Sequence, residues 1–541
     1  VGRVKIDNYD NRSTYKAYAS TGTLVSGDRG TYSDTSTQSK NTYADAIATL
    51  NKSFNDWSVN VNLGVSLSDS RYEMIGYEGG LKLINFFAVH NIDFNKAWKA
   101  KQSGWHDQTR AIFANAEIGW KSMIYLTATG RNDWDSRLAF SDYKSFFYPS
   151  IGLSAILTSM FNAPDWLTYL KVRGSYTEVG NSYGRFMTTV TYPYDEQTQN
   201  WTNTSSYPNT KLKPERTKSW EVGLDARILN DISLNLTYYR SNTYNQTFYA
   251  DLSLSSGYSN IPIQSGNIMN EGLEMSLGYN KQWKDFSFNT NYTLTWNKNR
   301  VKRLADGVYN YATGQPIQMP ELSPLTYGHT DARLILRVGG SMGDVYGQRL
   351  LKRDLNGYIL NEEGVGLAME NKETYLGSIL PKMNMGWSLG FGYKGVNLGM
   401  TFTGRFGGIV ISETQSVLDA AGVSKVSADV RDAGGVQINQ SKVSAQTYYQ
   451  TIQGTAAYYT YSATNIRLGE LSLSYTLPKK WFDNKVGMTV GLVGKNLWMI
   501  YCKAPFDPEL TTSAASNFYQ GFDAYMLPST RNFGFNVKFQ F

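Results

Sequence analysis

The sequence predicts an all-β fold, specifically a transmembrane antiparallel β-barrel. Three observations predict it: apolar and polar residues alternate in many segments, short and long connections alternate between those segments, and tryptophans accompany the short connections. Successive side chains of a strand point to opposite faces, so an alternating segment has one apolar and one polar face. A barrel that separates lipid from a wet lumen requires such faces.

Composition agrees with this fold class. The chain has 541 residues, of which 14% are aromatic, including 39 Tyr and 24 Phe. Its mean hydropathy is only -0.39, and no apolar run reaches the roughly 18 residues of a membrane helix. Barrels combine these properties because every second residue faces a polar lumen. On composition alone, a large soluble all-β protein such as a sandwich array or a propeller is the alternative.

The alternating segments follow one another along the chain. We expect the first near Ser13, and a clear one at residues 57–67, where odd positions are apolar and even positions are Ser, Asn or Gly. The same pattern recurs at residues 151–157, 217–227, 232–238, 286–296, 386–393, 396–402 and 471–477. Runs of this length suit a barrel, since about 9 to 11 tilted residues cross a bilayer core.

The final segment, residues 531–541, alternates without interruption and ends on an aromatic residue. An exposed apolar strand invites edge-to-edge aggregation in a soluble protein, whereas lipid covers it in a membrane barrel. Counting the alternating segments gives about sixteen strands. Residues 331–350 could hold a further pair.

The connections are sorted by length. The short ones lie at residues 55–56, 119–122, 159–165, 229–231, 282–285, 394–395 and 478–484. The long ones lie at residues 70–107, 132–144, 178–214, 251–265, 303–381, 407–463 and 501–528. Outer-membrane barrels have short periplasmic turns and long extracellular loops. Five tryptophans lie in or beside the short connections, as in an interfacial aromatic girdle: Trp57, Trp120, Trp166, Trp283 and Trp481.

Several ordered motifs carry a family resemblance. Leu212-Lys-Pro-Glu215 followed by Trp220-Glu-Val-Gly-Leu224 resembles a barrel motif of TonB-dependent receptors. Further motifs lie at residues 375–382, 422–425, 431–435, 463–471, 494–497, 504–509 and 528–534. Together they resemble the C-terminal barrel of the SusC/RagA family of TonB-linked outer-membrane proteins, over essentially the whole chain. The residues Asn532, Gly534, Val537, Phe539 and Phe541 are similar to the signal read by the barrel-assembly machinery.

The resemblance implies a barrel of about twenty-two strands with a plugged lumen. The chain opens at Val1 without a Met or a signal peptide, so we expect residues 1–541 to be the C-terminal portion of that barrel. The signal peptide, TonB-binding segment, plug and first strands would then be absent. In a closed barrel the last strand pairs with the first, so we expect an unpaired edge at Phe541.

The family resemblance also implies a function. Its members import bulky nutrients, a glycan or an oligopeptide, across the outer membrane of a Gram-negative, Bacteroidota-like bacterium. Implied partners are a SusD-like surface lipoprotein that acts as a lid and the TonB-ExbB-ExbD complex. A passive porin, or a barrel serving as a surface adhesin or structural anchor, is the alternative.

Charged residues are expected on the polar face of the strands, where they could contact a folded plug or line an aqueous pore. Strand alternation assigns the following to that face: Lys171, Arg173, Glu221, Asp225, Arg227 and Glu274. The net charge of +7 is spread without basic runs, so no nucleic-acid partner is expected. Some of this charge could meet lipopolysaccharide phosphates.

Substrate recognition is expected in the long loops, where aromatic rings could stack on sugars or grip peptide side chains. The candidates are Tyr192, Tyr194, Trp201, Tyr207, Tyr448, Tyr449, Tyr458 and Tyr459, with Trp98 and Trp105 in a third loop. The alternative is that these rings pack one loop against another or against the lid protein.

Groups for catalysis are scarce. The three histidines, at 90, 106 and 329, fall in predicted long loops without metal-ligand spacing, and Cys502 is the only cysteine. Residues 339–343 lack the Lys-Ser/Thr of a phosphate loop, so we expect a strained turn. Asp354, Asn356 and Glu362 resemble part of a calcium loop, which an Asn-Gly hairpin turn explains equally well. We therefore expect no enzyme and no cofactor, with calcium as a weak candidate.

Overall fold

The computed structural model describes residues 1–20, 28–95, 98–195, 200–202, 204–309, 314–319, 321–354, 357–358, 367–438, 441–510, 512 and 517–541. Its main element is an antiparallel sheet of sixteen strands. With all strands numbered in chain order, those of the main sheet are β1 (Gly2–Ala17), β2 (Thr31–Phe54), β3 (Trp57–Gly80), β4 (Trp98–Trp120), β5 (Ile124–Asp135), β6 (Phe146–Ile156), β7 (Leu167–Asn181), β10 (Glu215–Ile228), β11 (Ile232–Asp251), β12 (Asn260–Trp283), β13 (Phe286–Arg303), β22 (Met383–Tyr393), β23 (Val396–Phe406), β28 (Asn465–Leu477), β29 (Gly487–Cys502) and β31 (Asn532–Gln540).

The other strands lie in the long connections. They are β8 (Tyr194–Asp195), β9 (Asn200–Trp201), β14 (Ala305–Tyr309), β15 (Pro316–Met319), β16 (Glu321–Thr326), β17 (Arg333–Arg337), β18 (Asp344–Leu351), β19 (Arg353–Asp354), β20 (Gly357–Tyr358), β21 (Met369–Ser378), β24 (Ile409–Ser412), β25 (Val436–Ile438), β26 (Ser441–Val443), β27 (Thr460–Ser462) and β30 (Phe522–Asp523).

The described helices are short. The α-helices are α1 (Leu157–Met160), α2 (Glu413–Ala420), α3 (Lys425–Asp432) and α4 (Ala445–Ile452). The 3-10 helices are Val89–Asn91, Ser136–Leu138, Leu254–Ser256, Ala456–Tyr458, Lys479–Phe482 and Asn517–Gly521. A serine caps each of α2, α3 and α4 by accepting a hydrogen bond from a first-turn amide. Within the described ranges, no helix is long and apolar enough to cross a membrane.

The strands of the main sheet are joined as a meander. Their order is β1-β2-β3-β4-β5-β6-β7-β10-β11-β12-β13-β22-β23-β28-β29-β31. All seven predicted short connections join neighbouring strands of this sheet. At Lys394 and Gly395 both φ angles are positive, 46° and 90°, which suits a two-residue hairpin whose twist matches that of its strands. The short turns therefore lie at one rim and the long connections at the other.

The predicted loop at residues 70–107 is wrong for most of its length. β3 and β4 stay paired from Trp57–Trp120 to Gly79–Trp98, so His106 lies in a strand and not in a loop. The extension mixes polar and apolar residues on both faces, because a hairpin that stands in water needs no wholly apolar face. For the same reason the first strand begins earlier than the sequence predicts, at Gly2 and not near Ser13.

Two further expectations concern the strand count and the edges. Residues 331–350 do contain a strand pair, β17 and β18, but it belongs to a separate four-stranded sheet with β16 and β21. The glycine-rich segment between these strands is a turn, as predicted, and Gly339 has a φ of 91°. Among the described strands, β31 pairs only with β29, and β1 only with β2. The terminal strand is therefore an edge, as expected.

The main sheet has an apolar outer face, defined here as the face that carries Trp57, Leu67 and Trp220. Residues on it are exposed although they are large and apolar: Val222 is 56% exposed and Phe535 is 81% exposed. Trp57, Trp166, Trp283 and Trp481 at the short-turn rim are also exposed. The opposite, inner face is polar, so the pattern is that of a sheet with lipid on its outer side.

The long connections build a second body at the other rim. Residues from three of them share one hydrophobic core: Tyr327 and Ile379 from the first, Ile411 from the second and Phe522 from the third. β24 pairs antiparallel with β27 and parallel with β30, which ties the second connection to the third. The main sheet thus carries one packed unit in place of separate loops. We call it the loop body; its residues come from the connections at 303–381, 407–463 and 501–528.

Candidate functional site

The charged residues expected on the inner face lie there together. Asp225 on β10 is the register partner of Lys171 on β7, and Glu221 is the partner of Ser175. Glu274 on β12 lies opposite Thr237 and is exposed. The Arg227 guanidinium is 5.8 Å from the centroid of the Tyr169 ring, close to the short-turn rim.

Arg173 lies at the centre of the polar inner face, called the inner wall below, and bonds to residues on two other strands. Its Nη1 lies 2.5 Å from Asp225 Oδ2, and its Nη2 donates to Thr237 Oγ1 at 2.6 Å. The Asn235 side-chain amide donates to the other oxygen of Asp225. Gly223 makes this reach possible, since a Cβ at that position would lie 2.6 Å from Arg173 Nε. Charge-assisted bonds across three strands therefore fix the guanidinium.

A cavity of about 480 Å³ opens beside this network. Charges of both signs and neutral hydroxyls line it, from residues that include Glu117, Tyr125, Ser154, Lys171, Arg173 and Glu221. Such a wall can form hydrogen bonds and ion pairs with a polar protein surface or with water.

A stacked aromatic cluster lies on the inner face further from the short-turn rim. Tyr72 and Trp105 are register partners whose rings stack with centroids 5.7 Å apart and planes inclined by 9°. The Arg185 guanidinium lies 3.6 Å from the Trp105 ring centroid and its Nη2 lies 2.5 Å from Asp107 Oδ2. Sequence reasoning named Trp105 but missed Tyr72 and Arg185, because recognising the pair requires the register of the long β3–β4 hairpin.

The first group of loop aromatics is largely exposed. Tyr194 and Trp201 face each other on the β8–β9 hairpin, with ring centroids 5.1 Å apart and exposures of 49% and 71%. Tyr192 is 60% exposed. Tyr207 differs, because it packs edge-to-face on Tyr258 and against a buried cluster. Three of these four rings therefore present faces to solvent.

The second group is packed inside the loop body. Tyr449 and Tyr459 are 6% and 3% exposed and belong to one hydrophobic cluster, with Tyr448 and Tyr458 against it. The Tyr458 hydroxyl accepts a hydrogen bond from the Leu351 amide at 3.1 Å. Burial raises the pKa of the Tyr459 hydroxyl well above its usual value. These four rings therefore pack one part of the loops against another, which is the alternative to ligand binding. Tyr449 and Tyr459 in particular offer no open face to a ligand.

A buried ion pair joins two of the sequence motifs. Arg467 on β28 contacts both carboxylate oxygens of Asp507, at 3.1 Å and 2.8 Å, and Glu509 at 3.4 Å. Asn465 donates to Glu509 at 3.0 Å. Burial alone would raise the pKa of the Asp507 carboxyl, but hydrogen bonds from Arg467 and the Glu509 amide hold that pKa below its usual value. The connection after Cys502 is thereby anchored to the sheet.

The remaining predicted residues have these places. Four of the five assembly-signal residues lie on β31: Asn532, Gly534, Val537 and Phe539. Val537 lies opposite Val490 and Phe539 opposite Met488. Phe541 follows the end of the strand. Asp354 pairs with Gly357 in the β19–β20 hairpin, whereas Asn356 and Glu362 lie outside the described residues. Among the described residues, no group of three or more His, Cys, Asp and Glu side chains could hold a metal ion. Calcium binding stays a prediction.

Comparison with known proteins identifies the family. Residues 3–497 match the family model described as TonB dependent receptor-like, beta-barrel. The chain belongs to this family. The predicted fold class and the predicted family are both confirmed. TonB-dependent receptors of this kind are receptors and transporters of the outer membrane, not enzymes.

Similar curated proteins are themselves TonB-dependent receptors. The TonB-dependent receptor P3 of Formosa agariphila is 24% identical over 544 residues, covering 92% of this chain and 52% of that protein. The TonB-dependent receptor SusC of Bacteroides thetaiotaomicron is 24% identical over 243 residues, covering 44% of this chain and 22% of SusC. The barrel chain thus spans about half the length of P3.

Similar solved structures support the fold of this receptor barrel. The RagAB peptide importer in its open-open state matches with a TM-score of 0.77 and 18% identity, over 99% of this chain and 58% of that chain. The closed-closed state of RagAB matches with a TM-score of 0.74 over 99% and 59%. At this identity the match establishes architecture.

Proposed function

We propose that the full-length receptor imports a bulky nutrient, a glycan or an oligopeptide, across the outer membrane of a Gram-negative, Bacteroidota-like bacterium. Uptake is driven by the TonB-ExbB-ExbD complex, and a SusD-like surface lipoprotein closes over the loops. The observation that carries the proposal is the polar inner wall beneath a packed loop body, in a chain of the TonB-dependent receptor family. RagAB is described as a peptide importer, and an oligopeptide is one of the two cargo classes of this proposal.

The inner wall suits the docking of a folded plug. Arg173 is held in place by Asp225 and Thr237, and Asp225 by Arg173 and Asn235. Their side chains therefore lose less conformational entropy when a plug docks. Lys171 and Glu221 line the adjoining cavity of about 480 Å³. A plug that supplies complementary charges would close this cavity until it is pulled away.

The exposed rings suit the first contact with cargo. Tyr192, Tyr194 and Trp201 offer large amphipathic surfaces at the loop rim. Aromatic faces stack on sugar rings and on apolar peptide side chains alike, so this hairpin fits either cargo class.

Deletion of the full-length gene tests the proposal. We expect the deletion strain to take up less of one oligosaccharide or one oligopeptide from a mixed pool, and the intact gene to restore uptake. A pull-down of the tagged receptor should recover a surface lipoprotein. Unchanged uptake of all glycans and peptides in the deletion strain would contradict the import proposal and favour an adhesin or structural role.

A further inference from the structure

A cavity of about 500 Å³ opens in the loop body where the helices α2, α3 and α4 meet. The C-terminus of α2 and the N-terminus of α4 both line it. Small residues at these helix ends leave the space: Ala420, Ala421, Gly422 and Ala445. We call it the helix cavity. Its floor consists of buried residues, whereas exposed residues form its rim.

Asp419 supplies a buried carboxylate to the floor of the helix cavity, and is only 5% exposed. Its Oδ1 accepts hydrogen bonds from Gln415 Nε2 at 2.7 Å and from the Ser424 hydroxyl at 2.5 Å. Within the described residues its Oδ2 accepts no hydrogen bond, and Asp419 forms no ion pair. Oδ2 is not sealed in the protein and is reached from the cavity. A buried carboxylate without a cation is costly, so this site lacks a positive charge.

Tyr449 on α4 brings a second unpartnered oxygen atom to the helix cavity. Its ring packs in a hydrophobic cluster, and the residue is 6% exposed. The hydroxyl forms no hydrogen bond with any described residue, and it too is reached from the cavity. Burial, and then the Asp419 carboxylate, raise the pKa of this hydroxyl. It therefore stays a neutral group that can accept a hydrogen bond.

This floor has the chemistry of a site for a primary ammonium group. An ammonium carries one positive charge and three donors, so it can bond to Asp419 Oδ2, to the Tyr449 oxygen and to a carbonyl at the end of α2. The C-terminus of a helix carries partial negative charge, which favours the same cation. A neutral sugar would satisfy the hydrogen bonds but would leave the charge of Asp419 uncompensated.

The rim suits the peptide groups that follow a terminal ammonium. Gln446 and Gln450 lie four residues apart on one side of α4 and are exposed. Their amides can donate to and accept from a peptide backbone. Arg431 is exposed, and its one ion pair within the described residues is with Asp432, at 3.7 Å. Its guanidinium and the positive N-terminus of α4 can both bind carbonyl or carboxylate oxygens.

We propose that the helix cavity binds the terminal ammonium group of an oligopeptide, at Asp419 and Tyr449, with the following peptide groups along the rim. The proposal rests on the proposed import, which supplies the oligopeptide. It selects the oligopeptide from the two cargo classes. A peptide whose terminal amine is blocked should therefore lose the main contact.

Calorimetric titration of the purified full-length receptor tests this site. The probes are triglycine, N-acetyltriglycine and the neutral sugar maltotriose. We expect triglycine to bind about tenfold more tightly than N-acetyltriglycine, the difference of one charge-assisted contact. D419N keeps the side-chain shape and an oxygen for Gln415 and Ser424, but removes the charge. It should weaken triglycine about tenfold and leave N-acetyltriglycine unchanged. Y449F should weaken triglycine about threefold, since it removes a neutral acceptor.

D429N is the matched control for D419N. The Asp429 side chain on α3 is 62% exposed and pairs with Lys425 on the surface. Asp429 does not belong to the described lining of the helix cavity. D429N should bind every probe as the native receptor does. If D419N does not fold, Y449F and the comparison of the two peptides on native receptor still decide.

Three results would overturn the proposal. They are the absence of triglycine binding to native receptor, equal binding of triglycine and N-acetyltriglycine, and unchanged triglycine binding by folded D419N. Tighter binding of maltotriose than of triglycine would assign the cavity to sugars and would overturn it as well. These titrations need neither cells nor TonB. Their failure is therefore distinct from a failure of the import proposal, which the deletion strain reports.

Discussion

Replacement of Arg467 by Met is expected to release the connection that follows strand β29. The side chains of Arg467 and Asp507 are only 11% and 8% exposed, so the substitution leaves a buried carboxylate without its cation. Breaking a buried pair in this way costs about 3 kcal/mol. If local opening carries the whole cost, opening of residues 503–510 becomes about a hundredfold more frequent.

Hydrogen exchange read by mass spectrometry on the full-length receptor measures this opening. R467M should lower the protection of peptides from residues 503–510 about a hundredfold and leave the short-turn rim unchanged. Lys425 pairs with Asp429 on the surface, with side chains 85% and 62% exposed, so K425Q is the control and should change local protection less than threefold. A change of less than threefold in R467M as well would refute the reasoning.

The same ion pair predicts a pH dependence. The folded-state pKa of Asp507 is lowered, so its stabilising contribution is fully present above the ordinary carboxyl pKa of about 3.9 and is lost as the pH falls through the lower folded value. Exchange at residues 503–510, corrected for intrinsic rate, should therefore rise on strong acidification. R467M should abolish this rise on acidification, because burial then dominates and raises the pKa of the Asp507 carboxyl.

Three further predictions concern the rim, the loop body and the wall. Y194A/W201A should weaken binding of the imported cargo at least fivefold by calorimetry while leaving thermal stability unchanged, since both rings are exposed. Burial raises the pKa of Asp344, so its contribution to loop-body stability is fully present below the ordinary pKa and falls as the pH rises through the raised value; D344N should flatten that loss in pH-dependent exchange. G223A should displace Arg173 and lower the free energy of unfolding by about 1.5 to 3 kcal/mol. Chemical denaturation in detergent checks this against G152A, where a Cβ would lie 3.7 Å from its nearest neighbour.

The sequence predicts the membrane-level part of this fold because lipid imposes a pattern. Along residues 57–67 every outward side chain must be apolar, so faces, short turns and strand identity are all visible in the alternation. Beyond Leu67 both faces of the β3–β4 hairpin mix polar and apolar residues, and no periodicity marks the strands. The stacking of Tyr72 on Trp105 was hidden for that reason.

The loop body could not be predicted in this way. An aromatic residue in a polar segment predicts either a ligand contact or a packing contact, and only tertiary structure decides. Trp201 is exposed, whereas Tyr459 lies in a core built from residues far apart in the chain. Likewise, Arg467 and Asp507 lie forty residues apart. They meet because the intervening strand, β29, runs back antiparallel to β28.

Energy dependence of uptake tests the central claim most directly. The measurement is the initial rate of cargo uptake by cells that carry the full-length receptor, with and without a functional TonB protein. An active importer should lose nearly all uptake when TonB is removed, and should accumulate cargo against a gradient when it is present. Uptake that continues at the same rate without TonB would contradict the account and identify a passive pore.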